Sequence, residues 1–300
     1  MRKWNPVWSK NHPSTFSIAA RDASNGDLGI AVQSKFPAVG AIVPWAKANI
    51  GAIATQAWAN VAYGPDGLEL LSEGKSAGKV LETLLENDEG MEHRQVGIVD
   101  GSGEVAVHTG DECMDWAGHV KGDGYCCQGN ILTGEFVVTG MSDAYLSTEG
   151  DLIDKLFAGL KAAQAAGGDR RGKQSAAILV VREEGGYEGG NDRYVDVRVD
   201  DHPTPIKELE RIFRLYDMTL LSREDPSDLL DIEGTVAFDI KRALVSLGYL
   251  DEVEGAGFFD KDEKALQQFI NINNFENKAR DDGKIWQSVF QYLLNKAGLK

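Results

Sequence analysis

Residues 15–36, TFSIAARDASNGDLGIAVQSKF, decide the fold. Residues 15–22 alternate in part and carry β-branched and aromatic side chains, and residues 28–36 form a second such run. Between them stands Asn25-Gly26, the pair that most favours a hairpin turn because both residues accept positive φ. A hairpin is therefore expected to begin at Thr15.

Outward from that hairpin, residues 41–45 and 49–55 read as two further strands. Helical patterns follow at 64–73 and 76–86, the second with Ser76 as N-cap candidate. Strand patterns return at 95–100, 105–109 and 125–128, then helices near 135–146 and 151–165, the latter closed by Gly167-Gly168. Strands at 175–182 and 194–199 complete this part. Runs of each type, rather than strict alternation, favour an α+β fold over a doubly wound parallel sheet.

Beyond residue 202 the chain changes character, with only six of its 34 glycines. Thr204-Pro205 starts a helix, with Thr as N-cap and Pro in the first turn. The acidic stretch 222–233, SREDPSDLLDIE, reads as a linker, and three short helices are expected at 235–247, 261–271 and 285–296. The expected domains are an N-terminal extension 1–14, a main domain 15–221, the linker 222–233 and a small all-α three-helix domain 234–300.

Composition narrows the function classes. With 31 basic and 47 acidic residues the net charge is −16, which argues against nucleic acid and anionic membrane surfaces as partners. No apolar run reaches the length a membrane span needs, and residues 1–14, MRKWNPVWSKNHPS, lack the apolar core of a secretory signal, so a cytoplasmic location is expected. The three cysteines, Cys113, Cys126 and Cys127, give no disulfide framework. A thiol-based activity at Cys126-Cys127 beside Gln128 remains one reading, and buried reduced thiols are the other.

Several motifs fail on inspection. Gly74-Lys75-Ser76 lacks the glycine of a phosphate loop, because position 69 is Glu. Asp260 and Asp262 begin like a calcium loop but lack its glycine and its closing glutamate. The five histidines show no ligand spacing, so no metal and no cofactor is expected.

One constellation survives. Were Thr15 the first residue of a mature chain, its hydroxyl would be the nucleophile and its own α-amine the base, with a reference pKa of ~7.7–8.0 close to working pH. The following strands carry Lys35 and Lys47, and a nearby lysine would hold such an amine neutral by like-charge repulsion.

The chain resembles the bacterial domain-of-unknown-function family 1028, whose fold is similar to that of the N-terminal nucleophile (Ntn) hydrolases. The resemblance covers about residues 15–215. It is carried by TFSIAARD (15–22), LGIAVQSKFPAVGAIVPWA (28–46), GAIATQA (51–57), YGPDGLELL (63–71), RQVGIVD (94–100), WAGHV (116–120), QGNIL (128–132), GGDRRGKQSAAILVV (167–181) and DRYVDVRVDDHP (192–203). It implies an Ntn-hydrolase-like αββα layered sandwich and hydrolysis of an amide bond in a small molecule or peptide. Lys47 stands 32 positions after Thr15, the spacing of the lysine beside the nucleophile in proteasome-type relatives. The acidic residue usual between them is missing, with Ala31, Gln33 and Ser34 in its region.

The same resemblance implies supporting roles for Asp169, Arg171 and Ser175, with a structural Asp169–Arg171 ion pair as the alternative. Backbone amides near Thr55-Gln56, or the Asn60 side chain, are candidates for an oxyanion hole. Gln128 and Asn130 join Gln56, Asn60 and Arg171 as substrate-binding candidates; their alternative is to satisfy buried backbone groups. Residues 232–300 resemble a peptidoglycan-binding helical domain through Leu244, Leu247-Gly248-Tyr249, Gly257-Phe258-Phe259-Asp260, Ala265-Leu266 and Phe269. They depart from it in the acidic loop Asp251, Glu252, Glu254 and in Lys264. Peptidoglycan or a muropeptide is the partner this implies, and self-association of the chain stays open.

The 14 residues before Thr15 leave three readings: the chain is cut before Thr15, its true start lies elsewhere, or the site is inactive. The competing function is a non-catalytic ligand-binding module joined to a glycan-binding tail.

Overall fold

A computed structural model describes residues 15–299. Residue contacts divide it into two units between Glu210 and Arg211. The expected extension 1–14 lies outside the described residues.

In the first unit the opening hairpin forms as the sequence implies: β1 (Thr15–Arg21) pairs antiparallel with β2 (Leu28–Ser34), Thr15 facing Ser34. The turn is longer than a two-residue loop, and Gly26 takes φ 83° within it. β3 (Pro44–Lys47) and β4 (Gly51–Ala57) follow, then α1 (Tyr63–Ser72) and α2 (Ala77–Glu86). The expected strand at 41–45 falls partly elsewhere. Residues 39–41 form a 3-10 turn entered through a left-handed Ala38, so pairing begins only at Pro44.

Next come β5 (Arg94–Asp100), β6 (Val105–Thr109), β7 (Gly118–Gly122) and β8 (Tyr125–Asn130), then α3 (Phe136–Ser147) and α4 (Leu152–Ala165). The Asp151 side chain caps α4 by accepting from Ile153 and Asp154 amides at 3.0 and 3.3 Å. β9 (Ser175–Val181) and β10 (Arg193–Val199) close the series, and the division between the units falls within α5 (Pro205–Leu220).

Two antiparallel sheets result, one in the order β10-β9-β2-β1-β8-β7 and one in the order β3-β4-β5-β6. α3 and α4 lie against the first sheet, and α1 and α2 against the second. Period-two alternation sorts the side chains of β2: Leu28, Ile30 and Val32 join Ala52, Ala54 and Val99 in the core between the sheets. On the far side of the second sheet, Ile53, Val96 and Ile98 pack against Val80 and Leu84, whose i, i+4 spacing gives α2 its apolar stripe. The sheets approach closely: a Cβ on Gly97 would stand 2.6 Å from Cys126 Sγ, so that position needs glycine.

The second unit holds β11 (Leu229–Asp231), α6 (Gly234–Ser246), α7 (Asp260–Ile272), β12 (Lys284–Trp286) and α8 (Gln287–Lys296). Its core gathers Ile240, Leu244, Phe269, Phe275 and Leu293. The unit is not all-α. β11, inside the stretch read as a linker, pairs with β12 and faces Leu230 to Ile285. The two leucines within that acidic run are the physical reason, since both contribute to burial there while Asp231 stays exposed. Lys241, fully buried on α6, donates to the carbonyls of Glu254, Gly255 and Gly257 at 2.8–2.9 Å and so clamps the loop before α7.

Candidate functional site

Thr15 opens β1 and is 1% exposed, yet it lines a cavity of about 370 Å³. The other walls are Phe36, Val39, Ile42, Val43, Ala57, Trp58, Ala59 and Val61, so no lining side chain is charged and all but Thr15 and Gln56 are largely apolar. The Thr15 hydroxyl donates to Ser34 Oγ at 3.1 Å. Its carbonyl accepts from Gln56 Nε2 at 3.3 Å.

Beneath Thr15 lies a chain of neutral polar groups between the sheets. Ser17 donates to Gln56 Oε1 at 2.6 Å, and Gln56 Nε2 donates to Gln95 Oε1 at 2.8 Å. Asn130, whose backbone faces Thr15 across β1 and β8, donates to the same Gln95 oxygen at 3.1 Å. Gln95 Nε2 is shared among Thr109 Oγ1 and the carbonyls of Gly118 and Gly129 at 2.9–3.1 Å. Gln128 Nε2 donates to the Ala54 carbonyl at 2.8 Å. Buried amides are costly when unpartnered, so this network couples the position of one sheet to the other.

Gln95 was not among the candidates from sequence. Its signal was an amide at a buried position of an otherwise apolar strand, RQVGIVD, which only becomes informative once its partners are known. Gln128 and Asn130 are brought to the network, where they hold backbone and side-chain partners rather than an open ligand face.

Asp169 and Ser175 are positioned behind the cavity. Asp169 accepts from the Lys35 amide at 2.7 Å and pairs with Arg171 at 3.2 Å, with its side chain fully buried. Ser175 Oγ accepts from the Val39 amide at 3.1 Å and donates to the Phe36 carbonyl. Both thus fix the 35–39 segment that supplies two cavity walls. They act on the loop, not on Thr15.

Two candidates are not brought to the site. Lys47 is exposed on β3, pairs in backbone register with Gly51, and directs Nζ to Ser72 Oγ at 3.4 Å. Asn60 donates to Asp88 Oδ2 at 3.0 Å and accepts from the Ala62 amide at 3.2 Å, so its side chain fastens the entry to α1. The Thr55 amide is likewise engaged, donating to the Val43 carbonyl at 3.1 Å.

Asp88 centres a separate knot. Burial alone would raise its carboxyl, but hydrogen bonds from Arg94, Asn60, the Gly90 amide and Tyr63 outweigh that and hold it well below the usual carboxylate range. The cysteines are inert by the same logic. Burial pushes the Cys126 thiol up to about 12, raises Cys127 well above its ordinary value, and takes Cys113 to about 11. Cys126 and Cys127 are also 1% and 0% exposed, so burial denies both access and ionisation and counts against the thiol-based reading.

One feature of the backbone was invisible in the sequence. Ala38, Ala57 and Ile131 all have positive φ, at 51°, 63° and 51°. Each adjoins the Thr15 end: Ala38 precedes the wall residue Val39, Ala57 lines the cavity, and Ile131 follows Asn130. Left-handed backbone at non-glycine residues costs about 1–3 kcal/mol each, least tolerably at a β-branched Ile, and such strain concentrates at functional sites.

Among the described residues no group of three or more His, Cys, Asp or Glu could hold a metal ion, and no helix is long and apolar enough to cross a membrane.

Comparison with known proteins agrees with the two-part organisation. Residues 15–209 match the model described as "Family of unknown function (DUF1028)", and residues 219–293 match the one described as "Putative peptidoglycan binding domain". A crystal structure of a protein from Silicibacter pomeroyi, titled as belonging to the same DUF1028 model, is 30% identical with a TM-score of 0.62. That match covers 68% of this chain and 89% of the other. No curated protein matches the chain.

Proposed function

The chain belongs, through residues 15–209, to the DUF1028 family of unknown function, and on that premise we propose that its first unit is an Ntn-type amide hydrolase in which Thr15 attacks once residues 1–14 are removed. The observation that carries this reading is the placement of Thr15 on the wall of a cavity, at the first position of β1. The succession of helix pair, sheet, sheet and helix pair supports it, being the layering of Ntn hydrolases.

In this reading the freed α-amine of Thr15 takes the proton of the Thr15 hydroxyl as Oγ1 bonds to the substrate carbonyl carbon. Ser34 Oγ, 3.1 Å away, orients that hydroxyl. The same amine then returns the proton to the departing nitrogen as the C–N bond breaks, leaving an ester on Thr15. Water, deprotonated by the amine, cleaves the ester and restores the hydroxyl. The apolar walls disfavour the charged ammonium and so keep the amine in its neutral, proton-accepting form without a lysine. Lys47 has no part in this chemistry.

The test is a panel of acyl p-nitroanilides offered to protein whose first residue is Thr15. The expected outcome is release of nitroaniline with an acyl adduct on Thr15. Hydrolysis by a Thr15→Ala variant at the same rate would overturn the reading.

A second reading, a non-catalytic ligand-binding unit, is favoured by one observation: the side chains hydrogen-bonded to Thr15, Ser34 and Gln56, are neutral, and Lys47 reaches Ser72 instead. It expects apolar ligands to bind the cavity of both forms with no turnover.

For the second unit, we infer binding of peptidoglycan or a muropeptide by residues 219–293, supported by the family match. A cytoplasmic protein would meet this chemistry as soluble muropeptides.

A further inference from the structure

A groove of about 310 Å³ runs along the second unit between α7 and the strand β12. Its floor is aliphatic, from Ile232, Leu266, Ile270 and Ile285, with Phe258 as its aromatic lining residue. Its polar lining holds the cations Lys264, Arg280, Lys284 and the buried Lys278 against Glu263 and Asp281, together with Gln267, in a chain of net charge −16.

These cations differ in availability. Lys278 is buried, 1% exposed at its side chain, and is consumed by Glu224 and the Leu221 carbonyl. Arg280 lies over the Trp286 ring at 5.1 Å and pairs with Asp282. Lys284 sits 3.3 Å from the exposed Asp231 carboxylate. Lys264 is exposed on α7 and has no carboxylate partner among the described residues. Exposed pairs of this kind are weak, so Lys284 and Arg280 can exchange partners at little cost, while Lys264 needs none.

We propose that this groove binds the peptide stem of peptidoglycan through its carboxylates, rather than the sugar rings. The inference rests on the reading of residues 219–293 as a peptidoglycan binder and names the part that is read. Sugar rings are usually held by flat aromatic faces and planar hydrogen-bonding groups. Here Phe258 is the aromatic lining residue, the Gln267 amide nitrogen already donates to Asn271 Oδ1 at 2.7 Å, and the remaining side-chain donors are ammonium and guanidinium groups. A chain of small apolar side chains punctuated by carboxylates matches the aliphatic floor and these donors: methyl groups meet Ile270 and Ile285, and carboxylates meet Lys264, Arg280 and Lys284. Arginine and lysine donors to a carboxylate form the stronger, charge-assisted class of hydrogen bond.

The experiment is co-sedimentation of the full-length protein with intact sacculi and with glycan strands freed of peptide by an amidase. It is paired with titration by a soluble, carboxylate-bearing stem peptide. The expected result is retention on sacculi, at least tenfold weaker retention on peptide-free glycan, and competition by the free stem. Lys264→Glu should weaken binding tenfold or more with unchanged circular dichroism. Lys296→Glu, on α8 outside the groove, should leave it unchanged. Equal binding to peptide-free glycan, or full binding by Lys264→Glu, would overturn the stem-peptide assignment alone. Failure of the unaltered protein to bind sacculi would overturn the peptidoglycan reading and this assignment together.

Discussion

Thr15 and Lys47 are held by opposite ends of one strand: the Thr15 carbonyl accepts from Gln56 near the end of β4, while Lys47 pairs with Gly51 at its start. Five residues of extended chain separate those anchors, about 17 Å. With its Nζ directed to Ser72 Oγ at that far end, Lys47 is not held beside Thr15. Lys47→Ala is therefore expected to leave hydrolysis within twofold of the parent, and stability within about 0.5 kcal/mol. Steady-state rates on the same acyl panel check this, and a hundredfold loss would show that Lys47 reaches the site.

Gln95 is the hub of the inter-sheet network. Replacing it by Leu leaves Gln56 Nε2 and Asn130 Nδ2 without that acceptor in a buried layer. Each loses one hydrogen bond in a buried layer, and a lost buried hydrogen bond costs about 1 kcal/mol or more, so the first unit should lose about 2 kcal/mol in urea unfolding. A loss below about 0.5 kcal/mol would mean that the network does not couple the sheets.

The expected and observed structures part at specific residues for physical reasons. The opening hairpin was legible because period-two alternation and Asn-Gly chemistry are local. β7 was not, since Gly118 and Gly122 dilute its pattern, although Asp123-Gly124 after it is itself a hairpin signal. Gln56 and Asn130 entered as candidates beside Thr15 through the family resemblance, and strand pairing sets Asn130 opposite Thr15. Lys47 could not be placed, because each strand reversal swaps the end of the sheet, and a count of 32 residues does not encode that parity. Asn60 was misread for a similar reason: its partner Asp88 lies 28 residues away, and polar side chains choose partners that sequence spacing does not reveal.

Asp88 gives the first unit an acid sensitivity with a defined sign. Its folded carboxyl titrates well below its unfolded value, so the stability it contributes is present above the unfolded value of about 3.9 and declines as pH falls toward the folded one. Asp88→Asn should be less stable than the parent at pH 7, with the gap narrowing below about pH 4. Urea midpoints measured from pH 7 to pH 2.5 check this, and a constant gap would contradict it.

Cys126 and Cys127 should resist a thiol reagent such as dithiobis(nitrobenzoate) at pH 8, since burial denies both access and ionisation. Slow labelling of Cys113 alone is expected in the folded protein, and all three sites in 6 M guanidinium. Rapid labelling of either buried thiol would reopen a sulfur-based chemistry.

The hydrolase reading is tested most directly by N-terminal sequencing and intact mass of the form that turns over an amide substrate. The expected result is a chain lighter by residues 1–14 that begins at Thr15 and loses all turnover as Thr15→Ala. Turnover by a chain that still carries Ser14 bonded to Thr15 would contradict it, because an amide nitrogen cannot serve as the base.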